Sequence, residues 1–507
     1  MATSKRLFQV STRATKSLLY VSFSVAILPI LLTPPLMDVR WWFIRFPADF
    51  NYSVNGIPGM WEKGLLPGRF VPLSDLSGDL YVFVGHKYLQ LTQAPINTFD
   101  LVTKIALIVA LYFALRSLIR ELAPNLSFDV VKICTLTLLT IWGLGANVFW
   151  KLNGTVAYPS LIYPTIIIAI VFAAKTLKNI RENQFNSFPI NKGIVFLLLA
   201  STLWANFYYE LAYTALVAIV IAIAVSPSAE FKFANRLKLG GFFLLSFLVV
   251  WIPMRIILAR QCSANVSECY DGSELSLAGA PATFLKNLVN AHPLSDYSAL
   301  EKIQAGNLPI MISGVTLFVA ALISITLVIN ARSTLNSETE SADKVSSILE
   351  MQMRLTAILL SVGIVAAAIM SVSSLSQRTV KWGYAYRHAP VLWLGYASLV
   401  LMLIVLIATK TNRTVGALLL VVLVTVLATG QGGRSFEAIR GYNKDFEPAS
   451  RVYHELYNAD LSDTGLANSR RCLIVDELSK KEVNIVRYVE PAEKFMRKFH
   501  DRAFCQR

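Results

Sequence analysis

The chain has 507 residues, of which 55% are hydrophobic and only 16% charged, with a mean hydropathy of +0.53 and a formal net charge of +15. Such a composition excludes an ordinary soluble protein of this size and points to a polytopic membrane protein. Its cations are scattered between apolar runs and form no patch, so they are expected to orient spans in a membrane and not to bind nucleic acid.

Uncharged or nearly uncharged runs of roughly 17–22 residues recur from Leu18 to Leu427, each close to the helix of about 20 residues that crosses the hydrocarbon layer. A spanning β-barrel would need short alternating segments instead. In chain order the expected spans are 18–37, 100–117, 130–149, 159–176, 193–208, 211–226, 239–258, 309–329, 355–375, 389–409 and 413–429, about eleven in all. The first run leads into "TPPLMDVRWW" and not into a small-residue cleavage site, so it reads as a retained span. Lys5, Arg6, Arg13 and Lys16 place the segment before it in the cytoplasm. Basic connections then recur on that side, for example Arg116 with Arg120, Lys178 with Arg181, and Arg236 with Lys238.

This layout makes residues 1–429 an all-α bundle with external loops at 38–99 and 259–308. Residues 430–507 form a small external domain, α/β or irregular, in which "RRCLIVDEL" reads as a buried strand and "EPAEKFMRKFH" as an amphipathic helix. Cys262 and Cys269 share one external loop, and Cys472 and Cys505 share the tail, so a disulfide in each is compatible with an oxidising compartment.

The block 193–225 carries one acid, Glu210. As one straight helix it would be about 50 Å long, well beyond the hydrocarbon thickness, and would carry the basic segment "EFKFANRLK" outside. A hairpin of two short spans avoids both problems. It puts Trp204, Phe207, Tyr208 and Tyr209 in an aromatic belt, with Glu210 at the external tip.

No P-loop, strand-to-helix GxGxxG, HExxH or GxSxG motif is present, and the five histidines show no metal-ligand spacing. No cofactor is indicated; a divalent cation held by carboxylates needs no regular motif and stays open. Polar chemistry gathers in two external regions. In the first loop Asp38 lies where the first span ends and Asp49 follows; Asp75 and Asp79 share one face if "SDLSGDLYVF" is helical. A carboxylate in a semi-buried membrane mouth can act as a general base, the alternative being ion pairs with Arg40, Arg45 or Arg69. The second region, "SSLSQRTVKWGYAYRHAP", sets Arg378, Lys381, Arg387 and His388 among Trp382, Tyr384 and Tyr386. Cations of this kind bind phosphate oxygens and aromatic faces stack on sugar rings; the alternative is interfacial snorkelling.

One span, a large external loop with acids at its start, the Gly68-Arg69 pair in "LLPGRFVPL", many further spans and an external tail together are similar to polytopic bacterial glycosyltransferases of the GT-C type. The layout looks most like the glucosyltransferases that modify O-antigen and related surface polysaccharides. The resemblance implies inverting transfer, on the external face of the bacterial cytoplasmic membrane, from a polyprenyl-phosphate sugar to a glycan or lipid-linked glycan acceptor. It further implies that a first-loop carboxylate, Asp38 or Asp49, is the base. The paired acids common in that group are missing here, so the choice between the two stays open. Glu210 would face the same cavity. Arg69, Arg378, Lys381, Arg387 and His388 are the candidates for gripping the donor phosphate, and Asp75, Asp79, Tyr209, Trp382, Tyr384 and Tyr386 for holding substrate. A polysaccharide polymerase or ligase and a lipid-linked sugar flippase are the rival readings.

Overall fold

A computed structural model describes residues 20–35, 69–92, 96–146, 153–182, 191–227, 231–264, 275–292, 342–384, 386–410, 438–443, 462–481 and 501–506, with a few isolated positions elsewhere. Among these the chain is almost wholly helical. Five helices are long and apolar enough to cross a membrane, which makes this a helical membrane protein.

In order, α1 spans Tyr20–Leu32. Two-residue strands Leu65–Leu66 and Arg69–Phe70 pair antiparallel, and then α2 spans Pro72–Thr92. Next come α3 (Ile96–Leu122), α4 (Phe128–Leu144), the single turn α5 (Gly154–Ala157) and α6 (Pro159–Glu182). They are followed by α7 (Lys192–Phe207), a 3-10 turn (Glu210–Tyr213), α8 (Thr214–Ala224) and α9 (Phe233–Ala264). The remainder are α10 (Ala280–Asn290), α11 (Ala342–Ser371), α12 (Ser374–Thr379), α13 (Ala389–Lys410) and α14 (Gly465–Lys481).

Helices α3, α6, α9, α11 and α13 supply the five long spans, while α1, α7 and α8 are shorter apolar helices. The expected span 309–329 lies outside the described residues, and so does nearly all of 413–429. Burial separates centre from rim. Of the apolar window, 67% is buried in α6 but 11% in α9, so α6 is the axis of the bundle and α9 turns Leu245, Val249 and Ile257 outward. Outward-facing apolar side chains at these depths are what a lipid-facing helix requires.

The break expected in the block 193–225 is present. Tyr208 leaves helical geometry at φ −91° and ψ −93°, ending α7. Ile194 and Leu197 near the start of α7 share a cluster with Ile219 and Ile223 near the end of α8, so the two run antiparallel. Arg236 closes the following turn by donating to the carbonyls of Ala224, Ser226 and Phe231. These carbonyls would otherwise be left without partners at a helix end.

Helices α11 and α13 cross at close range. A Cβ on Gly363 would lie 2.6 Å from the Leu392 Cα, and one on Gly395 would lie 2.7 Å from the Leu360 Cα. Paired glycines allow this approach, and Thr356 and Ser398 hydrogen-bond across the seam.

Within 38–99, α2 occupies 21 residues, so "SDLSGDLYVF" is helical, and Leu76, Leu80 and Val84 are exposed at i, i+4 and i+8 along one edge. One expectation is corrected here. In the tail, "RRCLIVDEL" is not a strand but lies within α14. Its apolar run is two-sided, with Ile474 buried and Leu473 63% exposed, and the flanking Arg, Glu and Lys residues favour helix. Arg471 is buried and donates to the carbonyls of Asp460, Ser462 and Phe504, and Cys472 is disulfide-bonded to Cys505. Cys262 is also disulfide-bonded; its expected partner Cys269 lies outside the described residues.

Candidate functional site

Antiparallel packing brings the end of α7, the starts of α6, α8 and α13, and the last turns of α11 to one end of the bundle. At this polar end Arg387 is the centre. It precedes α13, and its guanidinium donates to the Tyr158 hydroxyl (2.9 Å) and the Tyr209 hydroxyl (3.2 Å). The same group lies 4.3 Å from the centre of the Tyr158 ring and 5.7 Å from that of Tyr386, a cation-π arrangement on top of the hydrogen bonds. Tyr158, Tyr209 and Tyr386 are buried, whereas Arg387 keeps partial access to the exterior. Gly154 makes the packing possible, because a Cβ there would lie 2.4 Å from the Arg387 carbonyl oxygen.

Glu210 opens the 3-10 turn next to Tyr209 and is half-buried. Burial pushes the Tyr209 phenol up to about 12, with Arg387 pulling it down and Glu210 pushing it up. Acid and cation therefore both act on the one neutral hydroxyl, Glu210 from the adjacent residue and Arg387 through a hydrogen bond. The expected aromatic belt is corrected. Tyr208 and Tyr209 point inward and are buried, Tyr208 stacking on Trp204 and donating to the Ser160 carbonyl at 3.0 Å. An α7 that ends inside the bundle, against the start of α6, cannot present these rings to lipid.

Behind Arg387 lies a polar network. His388 is fully buried, with Nε2 3.3 Å from the Asn287 carbonyl oxygen. Burial pushes its imidazole down to about 4, against the opposing effect of that hydrogen bond. His388 was expected to grip phosphate; neutral and enclosed, it instead braces α10 against the Arg387 segment. Asn287 donates to Ser371, and Asn290 both donates to the Lys381 carbonyl and accepts from the Gly383 amide. Gln377 reaches the carbonyls of Ser276 and Ser371. These bonds fix Gln377, Lys381, Gly383 and His388 of the connection between α11 and α13 against α10 and the segment before it.

The other expected residues divide by position. Arg378, Lys381, Trp382 and Tyr384 are exposed on that connection, and Tyr386 faces Arg387 from within. Asp75 is half-buried in the first turn of α2, and Asp79 follows it one turn later on the same helix. Arg69 lies in the second short strand, opposite Leu66. Asp38 and Asp49 lie outside the described residues.

A second buried cluster at this end was not expected from the sequence. Lys104 and Asp100, one turn apart on α3, form a 2.6 Å ion pair with side chains 0% and 2% exposed. Tyr81 of α2 donates to Asp100 (3.1 Å), and Lys104 donates to the Thr33 carbonyl at the end of α1 (2.7 Å). This pair ties α1, α2 and α3 together. The legible signal was "DLVTK" at the head of an apolar run, an acid and a base at i and i+4.

No group of three or more metal-ligating side chains is present among the described residues. Compared with protein-family models, with curated proteins and with solved structures, the chain matches none.

Proposed function

We propose that this protein is a membrane glycosyltransferase of the GT-C type that moves a sugar from a polyprenyl-phosphate donor to a glycan or lipid-linked glycan acceptor. In this reading the chain makes about eleven spans in the bacterial cytoplasmic membrane. Its N-terminus lies in the cytoplasm, and the Arg387 end and the tail from residue 430 lie outside. The Cys472–Cys505 disulfide supports an oxidising location for the tail.

The observation that carries the reading is the Arg387 arrangement. A guanidinium fixed by two tyrosine hydroxyls and two ring faces, yet still partly accessible, is preorganised for a phosphate oxygen. In the transfer, a first-loop carboxylate, Asp38 or Asp49, takes the proton from the acceptor hydroxyl. The freed oxygen bonds to the anomeric carbon of the donor sugar from the face opposite the phosphate. The bond from that carbon to the phosphate oxygen breaks, and the lipid phosphate leaves with its electron pair and a negative charge that Arg387 offsets. Exposed Arg378 and Lys381 add positive potential near the mouth, Trp382 and Tyr384 offer ring faces to sugar, and Glu210 binds acceptor hydroxyls or orients Arg387 through Tyr209.

The test is to incubate purified protein with polyprenyl-phosphate sugars and measure lipid-phosphate release with and without acceptor glycan. Acceptor-dependent release that is lost in Asp38→Asn or in Asp49→Asn is the expected result. Full activity in both variants would remove these residues as the base, and no release from any donor would remove the enzyme reading.

A further inference from the structure

At the opposite end of the bundle, α3 and α6 finish side by side and enclose a groove of about 530 Å3. Four cations line it, Arg116 and Arg120 from α3 and Lys178 and Arg181 from α6, against two carboxylates, Glu121 and Glu182. Arg181 is held by Glu121 at 2.7 Å, and Lys178 pairs with Glu182 at 3.5 Å. Arg116 stacks on the Phe128 ring with its guanidinium carbon 4.0 Å from the centroid, which occupies its face and leaves its edges for an anion. The groove therefore carries two cations more than its acids neutralise.

What lies above the groove says what the anion is attached to. Along α3, Val102, Ile105, Val109 and Phe113 are 44–56% exposed, and their spacing continues into Arg116 and Arg120. At 100° per residue these six positions fall on one face of the helix. The apolar stripe rises about 16 Å from Val102 to Phe113 before it meets the cations. An apolar track along the hydrocarbon depth that ends in paired arginines at the interface has the form of a phospholipid, with an acyl chain on the stripe and the phosphate on the arginines. Basic residues that served only to orient the spans would not need to converge from two helices on one groove.

We infer that this groove binds the phosphate of an anionic phospholipid in the leaflet opposite the Arg387 end. Arg116 and Arg120 make the direct contacts, and the Arg181–Glu121 ion pair joins the two walls of the groove. Bound lipid would clamp the end of α3 to that of α6, the axis of the bundle.

Full-length protein reconstituted in nanodiscs of phosphatidylcholine with a minor fraction of phosphatidylglycerol, then released for native mass spectrometry, provides the test. Wild type retains phosphatidylglycerol, and the Arg116→Gln/Arg120→Gln double variant retains about tenfold less or lower still. Arg116→Lys/Arg120→Lys keeps most of the retention, which separates charge from folding, and Lys238→Gln, outside the groove, leaves it unchanged. Equal retention by wild type and the Gln double variant would overturn the inference. Displacement of the lipid by millimolar inorganic phosphate would overturn the lipid as the source and assign the groove to a soluble anion.

Discussion

The two ends of the bundle each hold an acid and a lysine one helical turn apart, and the two pairs do different work. Asp100 and Lys104, at the Arg387 end, are sealed from solvent and further tied by Tyr81 and the Thr33 carbonyl. Lys178 and Glu182, at the other end, are 45% and 54% exposed and 3.5 Å apart. Equal spacing in sequence thus gives a buried joint between three helices in one place and a screened surface pair in the other. The same contrast holds for the arginines: Arg387 is fixed by buried tyrosines, while Arg120 lies exposed at the lip of an open groove. Rigidity marks the end where chemistry is proposed, and accessibility the end where a lipid is proposed to dock.

Substitutions that treat both ends alike separate these roles. The largest effect is expected at Arg387. Arg387→Gln lowers acceptor-dependent lipid-phosphate release by about a hundredfold or more, and Arg387→Lys restores little, because an ammonium cannot span both tyrosine hydroxyls. A variant with wild-type turnover would remove Arg387 from the site.

Next comes the buried joint. Lys104→Met leaves the Asp100 carboxylate enclosed without its partner and costs about 3–5 kcal/mol of stability by denaturant unfolding in detergent. Adding Asp100→Leu recovers most of that loss. No recovery in the double variant would mean that the pair is needed as a charge pair and not as a filler of the joint.

A smaller and reversible effect is expected from His388. Its folded value of about 4 lies below the ordinary 6.5, so the unfolded chain takes up the proton first. This contribution leaves stability flat above about pH 6.5, lowers it as pH falls towards 4 by up to about 3 kcal/mol, and levels off below that. His388→Gln flattens this part of the pH profile, and an unchanged slope would assign the acid sensitivity to other groups. Least affected is the exposed pair, where Glu182→Gln shifts unfolding by less than about 0.5 kcal/mol.

Membrane residence and the positions of most helices were legible in the sequence, because a helix must satisfy its own backbone in hydrocarbon and so leaves a long uncharged run. Glu210 was legible for a related reason, since one acid in a block too long for a single span marks a break. Helix α2 was not, as its apolar residues are diluted by Gly, Ser and Asp and its one-sided contact is only visible beside α3 and α6. The burial of Tyr208 and Tyr209 was equally hidden, because an aromatic residue at a helix end suits the interface and the interior alike.

By itself the sequence determined the class of the protein, the break at Tyr208 and the presence of cations and aromatics in "QRTVKWGYAYRH", all properties set by local hydropathy and chain length. Only the tertiary structure decided that Arg387 keeps partial access while His388 is enclosed, that Tyr158 and Tyr209 meet Arg387 from connections far apart in the chain, and that Asp100 and Lys104 are sealed together. These outcomes depend on which helix faces pack. Hydropathy is nearly uniform around a membrane helix, so it is glycine contacts such as Gly363 on Leu392, and polar seams, that fix the rotation.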